Sequence, residues 1–172
     1  MRLKKESFDL ILLDIMMEPI DGWDTLAHIR ALPGGTNIPV IMSSAKKVNA
    51  DEIIRYGELV AGFLKKPFVD EEFCEAVTNF FTWNDHLISV ALLADAQDVP
   101  PEVCDTWIQL SRHIRAINQM KGEISLRCIP DEFSSEEECM ERSLNEIEKT
   151  LTEKTQKLLE LCERYPVFFS AS

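Results

Sequence analysis

The 172-residue chain is short of positive charge: 18 Lys and Arg stand against 30 Asp and Glu, a formal net charge of −12. That deficit argues against nucleic acid, where binding comes mainly from basic side chains neutralising phosphates. It argues equally against anionic membrane surfaces. No Cys-x-x-Cys pair occurs, and the five cysteines, Cys74, Cys104, Cys128, Cys139 and Cys162, are odd in number and scattered. Their spacing signals neither a zinc site nor a disulfide framework, and a reducing cytoplasm is the simplest setting. The longest apolar runs, Leu10–Leu13 and Leu87–Ala94, are far too short to span a bilayer. Met1–Lys5 lacks the apolar run of a signal peptide.

Hydrophobic residues nevertheless make up 45% of the chain, enough for a sizeable core. The first half alternates strand and helix signals. Leu10–Leu13 reads as a fully buried strand, followed by a turn at Pro19–Gly22 and a helix over Trp23–Ala31 that Pro33-Gly34-Gly35 stops. Ile38–Ser43 is a second strand, with Pro39 near its start where a missing N–H is tolerable. A short helix, Ala50–Tyr56, ends at Gly57. A third strand covers Leu59–Leu64, and Asp70–Phe81 is a helix with Phe73, Cys74, Val77 and Phe81 on one face. Short connections between alternating β and α units predict a parallel sheet covered on both faces, an α/β fold.

Composition shifts near Thr82, and no strand signal of any strength follows. The chain therefore divides into residues 1–82 and an all-α segment, residues 83–172. Leu87–Ala96 is a short apolar helix, and Pro100-Pro101 marks a break at which a new helix starts. From there Val103, Trp107, Leu110, Ile114, Ile117 and Ile124 follow a 4-3-4-3 spacing with Lys121 in the gap. Cys128–Phe133 is a loop, and Ser135-x-x-Glu138 is a capping box for a last helix. Met140, Leu144, Ile147, Leu151, Leu158, Leu161 and Tyr165 repeat the heptad, with Lys154 in the gap. Matching narrow seams predict a helical hairpin able to fold without the sheet, a parallel coiled-coil dimer being the competing arrangement.

In an open parallel sheet, chemistry gathers at the carboxyl ends of the strands. Asp14 ends the first strand, Ser44 follows the second in "IPVIMSSAKK", and Lys66 follows the third in "GFLKKPF". A carboxylate can act as a nucleophile toward phosphorus, while a hydroxyl and an ammonium beside it stabilise charge on phosphoryl oxygens. These three stretches together resemble the receiver domain of two-component response regulators. "LLDIMMEPIDGW" resembles the phosphorylation motif, which implies Asp14 as phosphoacceptor and the Met16 backbone carbonyl as a Mg²⁺ ligand. Pro19 lies one residue later than the family's usual proline. "IPVIMSSA" implies Ser44 as the switch hydroxyl; "GFLKKPF" implies Phe63 as the switch aromatic and Lys66 as the conserved lysine, before a usually cis Pro67. The resemblance covers roughly the first 82 residues. It implies a partial flavodoxin-like sheet, a sensor histidine kinase as partner, a signalling rather than an enzymatic role, and Mg²⁺ as cofactor.

The same resemblance exposes a gap. Receivers hold Mg²⁺ with two acidic residues at the end of the first strand, well upstream of the phosphoacceptor. The first strand, first helix and second strand have no counterpart here, and Met1–Ser7 reads as the tail of the second helix. Asp9 precedes the strand at its wrong end; Glu18 and Asp21 lie on the correct side, but nothing in the family makes either a substitute. The metal site is incomplete, so a phosphorylation-incompetent pseudo-receiver acting as an interaction module stands beside the signalling reading. Without strands one and two, Leu10–Asp14 becomes an apolar sheet edge that invites a homodimer. Phe63 also fits a plain core role, Lys65 reads as solvated, and His28, His86 and His113 read as surface residues. The run "SSEEE" reads as a helix cap with favourable dipole charge rather than a metal site.

Overall fold

The computed structural model describes residues 8–124 and 136–171. Met1–Ser7, the loop Cys128–Phe133 and Ser135 of the capping box lie outside the described residues. Three parallel strands, β1 (Ile11–Asp14), β2 (Val40–Ser44) and β3 (Gly62–Lys65), form a sheet in the order β1-β2-β3. Ile11 pairs with Val40, Asp14 with Ser43, and Ser44 with Lys65. Asp14, Ser44 and Lys65 therefore all stand at the carboxyl end of the sheet.

The helices between the strands start where capping chemistry allows. α1 (Gly22–Arg30) begins after Asp21, whose side chain accepts the Asp24 N–H at 2.8 Å. Gly22 is required by crowding: a Cβ there would lie 2.2 Å from the Asp14 carbonyl oxygen. α2 (Ala50–Tyr56) opens with a reciprocal box between Asn49 and Glu52 and runs into a 3-10 turn, Gly57–Leu59. That turn occupies the start of the segment expected as the third strand.

One face of the sheet holds Leu13, Val40, Met42 and Phe63 against Trp23, Leu26 and Ile29 of α1 and Ile53 of α2. The other face is thinner. Ile41 and Ala61 pack on Phe80, with Leu10, Leu64 and Trp83 partly buried around them. Leu12 is 42% exposed there. The expectation of a fully buried first strand thus fails, because among the described residues only one helix crosses that face.

That helix is longer than expected. The readings Asp70–Phe81 and Leu87–Ala96 merge into α3 (Asp70–Asp95), which crosses Thr82 without a break. Trp83-Asn84-Asp85-His86 is polar, but nothing in it stops a helix, and Asn84 is buried. α4 (Pro101–Gly122) and α5 (Glu136–Arg164) form the expected antiparallel hairpin: Lys121 near the end of α4 pairs with Glu148, while Trp107 near its start stacks on Phe168 beyond α5 with ring centroids 4.7 Å apart.

The hairpin does not stand alone. Ala116, Ile117 and Met120 of α4, with Ile147 and Leu151 of α5, share one core with the sheet. α4 has a second apolar flank, Cys104, Ala116 and Met120, beside its heptad seam. A narrow seam was the wrong template for it, and independent folding of the hairpin does not follow. Cys139 is disulfide-bonded, which the scattered cysteine spacing does not signal, while Cys74, Cys104 and Cys162 are free; Cys128 lies outside the described residues.

Candidate functional site

Asp14 is held from two sides. Its Oδ1 accepts the Met16 N–H at 3.0 Å, and its Oδ2 accepts from Lys66 Nζ at 2.5 Å. Both side chains of the pair are about one-third exposed, 34% for Asp14 and 33% for Lys66. The Lys66 contact holds the Asp14 carboxyl below the usual aspartate range, against a smaller opposing effect of burial. A carboxylate at a strand end is thus kept ionised and reachable. The burial penalty that makes such a group rare in an apolar run is avoided because the last residue of β1 meets water and a cation.

Ser44 stands on the same edge but is fully buried. Its carbonyl accepts the Lys66 N–H at 2.8 Å, which ties the two strand ends together. Its Oγ accepts the Lys46 N–H at 3.0 Å and does not bond Asp14. Phe63 is a core residue, 5% exposed, and its outward N–H donates to Gln119 Oε1 of α4 at 2.9 Å. Met16 is exposed. The Lys66–Pro67 peptide is cis. The structure therefore brings Asp14 and Lys66 together, places Ser44 alongside, and sets Phe63 behind them in the core. Lys65, expected to be free, pairs with Glu123 at 2.7 Å.

The described residues do not by themselves complete a Mg²⁺ site. Mg²⁺ takes six oxygens in near-octahedral array, several of them water, and is bound through one or two carboxylates. Asp14 offers one carboxylate already shared with Lys66, and Asp21 is spent on the α1 cap. Among the described residues no group of three His, Cys, Asp or Glu side chains could hold a metal.

Sequence reasoning missed the contacts from α4: Gln119 on β3, Glu123 on Lys65, and a parallel bridge between Val48 and Ile124. No local pattern announces them, since each joins residues more than fifty positions apart. His113 also departs from expectation. His28 and His86 are exposed, but His113 lies partly buried beneath α5, and that burial, chiefly, pushes it down to about 4.

Comparison with known proteins finds response regulators. The model of the response regulator receiver domain matches residues 1–78. The chain is 37% identical over 97 residues to a probable transcriptional regulator, ycf29, of Porphyra purpurea, covering 56% of this chain and 46% of that one. It is 33% identical over 129 residues to the cyclic di-GMP phosphodiesterase response regulator RpfG of Xanthomonas campestris pv. campestris, covering 68% of this chain and 32% of that one. A solved structure, the N-terminal domain of a response regulator receiver protein from Methanoculleus marisnigri, is 42% identical, with a TM-score of 0.33, covering 41% of this chain and 58% of that one. The chain spans less than half the length of these curated relatives.

Proposed function

Residues 1–78 belong to the response regulator receiver family, and from that premise we propose that Asp14 accepts a phosphoryl group from a sensor histidine kinase. An Asp14 oxygen forms the new bond to phosphorus as the P–N bond of phosphohistidine breaks, and the imidazole leaves with the bonding pair and takes up a proton. Lys66, already on Asp14 Oδ2, then neutralises charge on the phosphoryl oxygens. Ser44 supplies a hydroxyl to the same oxygens once it gives up its turn with Lys46. The pairing of Asp14 with Lys66 at adjoining strand ends is the observation that carries this reading. Residues 1–82 are the receiving part and residues 83–172 the output part. Output runs through protein–protein contacts, in a cytoplasmic setting, and the chain signals rather than turns over a substrate. Among the described residues no helix is long and apolar enough to cross a membrane.

The engagement of both Asp14 carboxylate oxygens, by the Met16 N–H and by Lys66, favours a second reading, a pseudo-receiver that serves as an assembly module. Incubation of the chain with acetyl phosphate and Mg²⁺, followed by intact mass, separates the two. The acceptor reading expects a substoichiometric single-phosphate adduct that Asp14→Asn abolishes. Complete absence of the adduct, or its survival in Asp14→Asn, leaves the pseudo-receiver. In either role the β1 edge pairs two copies of the chain, because among the described residues nothing hydrogen-bonds its outer side.

A further inference from the structure

At the opposite end of the sheet from Asp14 lies a cavity of about 220 Å³. Residues just before β2 and β3, the end of α1 and one face of α4 enclose it. Arg30, Arg112 and His113 line it, with Gln109 one helical turn before His113. Arg112 is 7% exposed.

Both guanidiniums are held by neutral groups. Arg30 donates to the carbonyls of Gly35, Ile38 and Leu59. Arg112 donates to Asn84 Oδ1 through Nε and Nη2 and to the Asn37 carbonyl through Nη1. No described carboxylate makes an ion pair with either. Glu58, the acid on the cavity wall, is engaged by Lys154 of α5 at 2.8 Å. Arg112 is buried and Arg30 partly so; Asp105 acts on Arg112 only from a distance, without an ion pair, and a buried charge without a paired partner is costly. Burial first, and then the charge of Arg112, draws Arg30 down to about 10. An arginine presents five N–H donors in a rigid fork, and of the ten on the pair the contacts above leave three, one on Arg30 and two on Arg112, without a described protein acceptor.

We propose that this cavity is a binding site for a small oxyanion, a carboxylate or phosphate, held between the Arg30 and Arg112 guanidiniums with Gln109 and His113 on the wall. The chemistry is bidentate recognition of a planar or tetrahedral oxyanion by arginine forks. The anion supplies the missing counter-charge and bridges α1 to α4, so its occupancy clamps the helical hairpin to the sheet. The site lies at the end of the sheet opposite Asp14, and the proposal does not rest on phosphorylation of that residue.

The test uses the full chain at pH 7 and follows its melting temperature and isothermal titration heat with sodium phosphate, sodium acetate, and sodium chloride at matched ionic strength. Saturable stabilisation by phosphate, acetate or both, beyond that of chloride, supports the site and tells which anion fits. Gln109→Glu places a carboxylate on the cavity wall without removing a structural arginine. It is expected to raise the melting temperature in chloride and to weaken oxyanion binding by roughly tenfold or more. Equal responses to all three salts, or a Gln109→Glu protein that binds oxyanions as the parent does, overturns the proposal.

Discussion

β3 and β1 are both outer strands of one three-stranded sheet, yet α4 packs along β3 while, among the described residues, no hydrogen bond reaches the outer side of β1. At β3 the outward Phe63 N–H finds Gln119, Lys65 finds Glu123, and Ile117 and Met120 seal the apolar face. At β1 the outer side of the strand receives no such bond among the described residues, and Leu12 is 42% exposed. Edges of sheets are normally covered, charged or broken. The contrast shows a helical segment that completes one side of the sheet.

The largest test of that contrast removes the cover. Truncation after Thr82 deletes α4 and α5 and cuts α3, and with them Ala116, Ile117, Met120, Ile147 and Leu151 of the shared core. The expected outcome is loss of the cooperative thermal transition followed by circular dichroism. A sharp melt from residues 1–82 alone would show that the receiver part is self-sufficient.

Single residues give smaller steps. Ile117→Ala, at a site 2% exposed, should cost about 2–5 kcal/mol in urea unfolding, since it leaves a cavity under the capped edge. Acid should act on the same side of the molecule. His113 faces Arg30, Arg112 and Lys154, with Glu58 opposing them, and sits at about 4 in the folded chain against about 6.5 when exposed. The unfolded chain therefore takes up this proton first as pH falls. Stability is full above pH 6.5 and declines toward pH 4, by up to about 3 kcal/mol, and His113→Gln should flatten that part of the profile. Asp14, whose carboxyl is lowered rather than raised, holds its contribution through that range and loses it only as pH falls below the usual aspartate value.

The smallest expected effect on stability belongs to the bare edge. Leu12→Lys should change unfolding free energy by no more than about 0.5 kcal/mol, as for other surface substitutions. It should nevertheless abolish the β1-paired dimer in a light-scattering concentration series. A parent chain that stays monomeric at high micromolar concentration, or a dimer indifferent to this charge, would remove β1 as the pairing surface.

Much of the site could be read from the chain itself. Asp14 and Lys66 stand at the ends of apolar runs, where a strand's direction alone brings them to one edge, and α2 fell on Ala50–Tyr56 as its Gly57 stop implied. What could not be read was anything set by contact across the fold. Gln119, Arg112 and His113 carry no signal of their own; their burial arises because α4 has two faces occupied at once, and a seven-residue repeat describes only one. The exposure of Leu12 is likewise a property of what fails to cover it. The composition shift near Thr82 suggested a boundary, but helix propensity has no quarrel with the residues that follow, and Asn84 serves Arg112 from inside α3.

The unbroken run of α3 has a mechanical meaning. Its 26 residues make a rod about 39 Å long at 1.5 Å per residue. The rod is rooted four residues after Lys66, and its far end lies in the second core with Trp107 and Phe168. A stiff lever magnifies small rotations: a tilt of about 5° at the foot displaces the tip by about 3 Å over that length. Any rearrangement at the lysine that meets Asp14 would thus reach the aromatic stack more than thirty residues away as a sideways stroke.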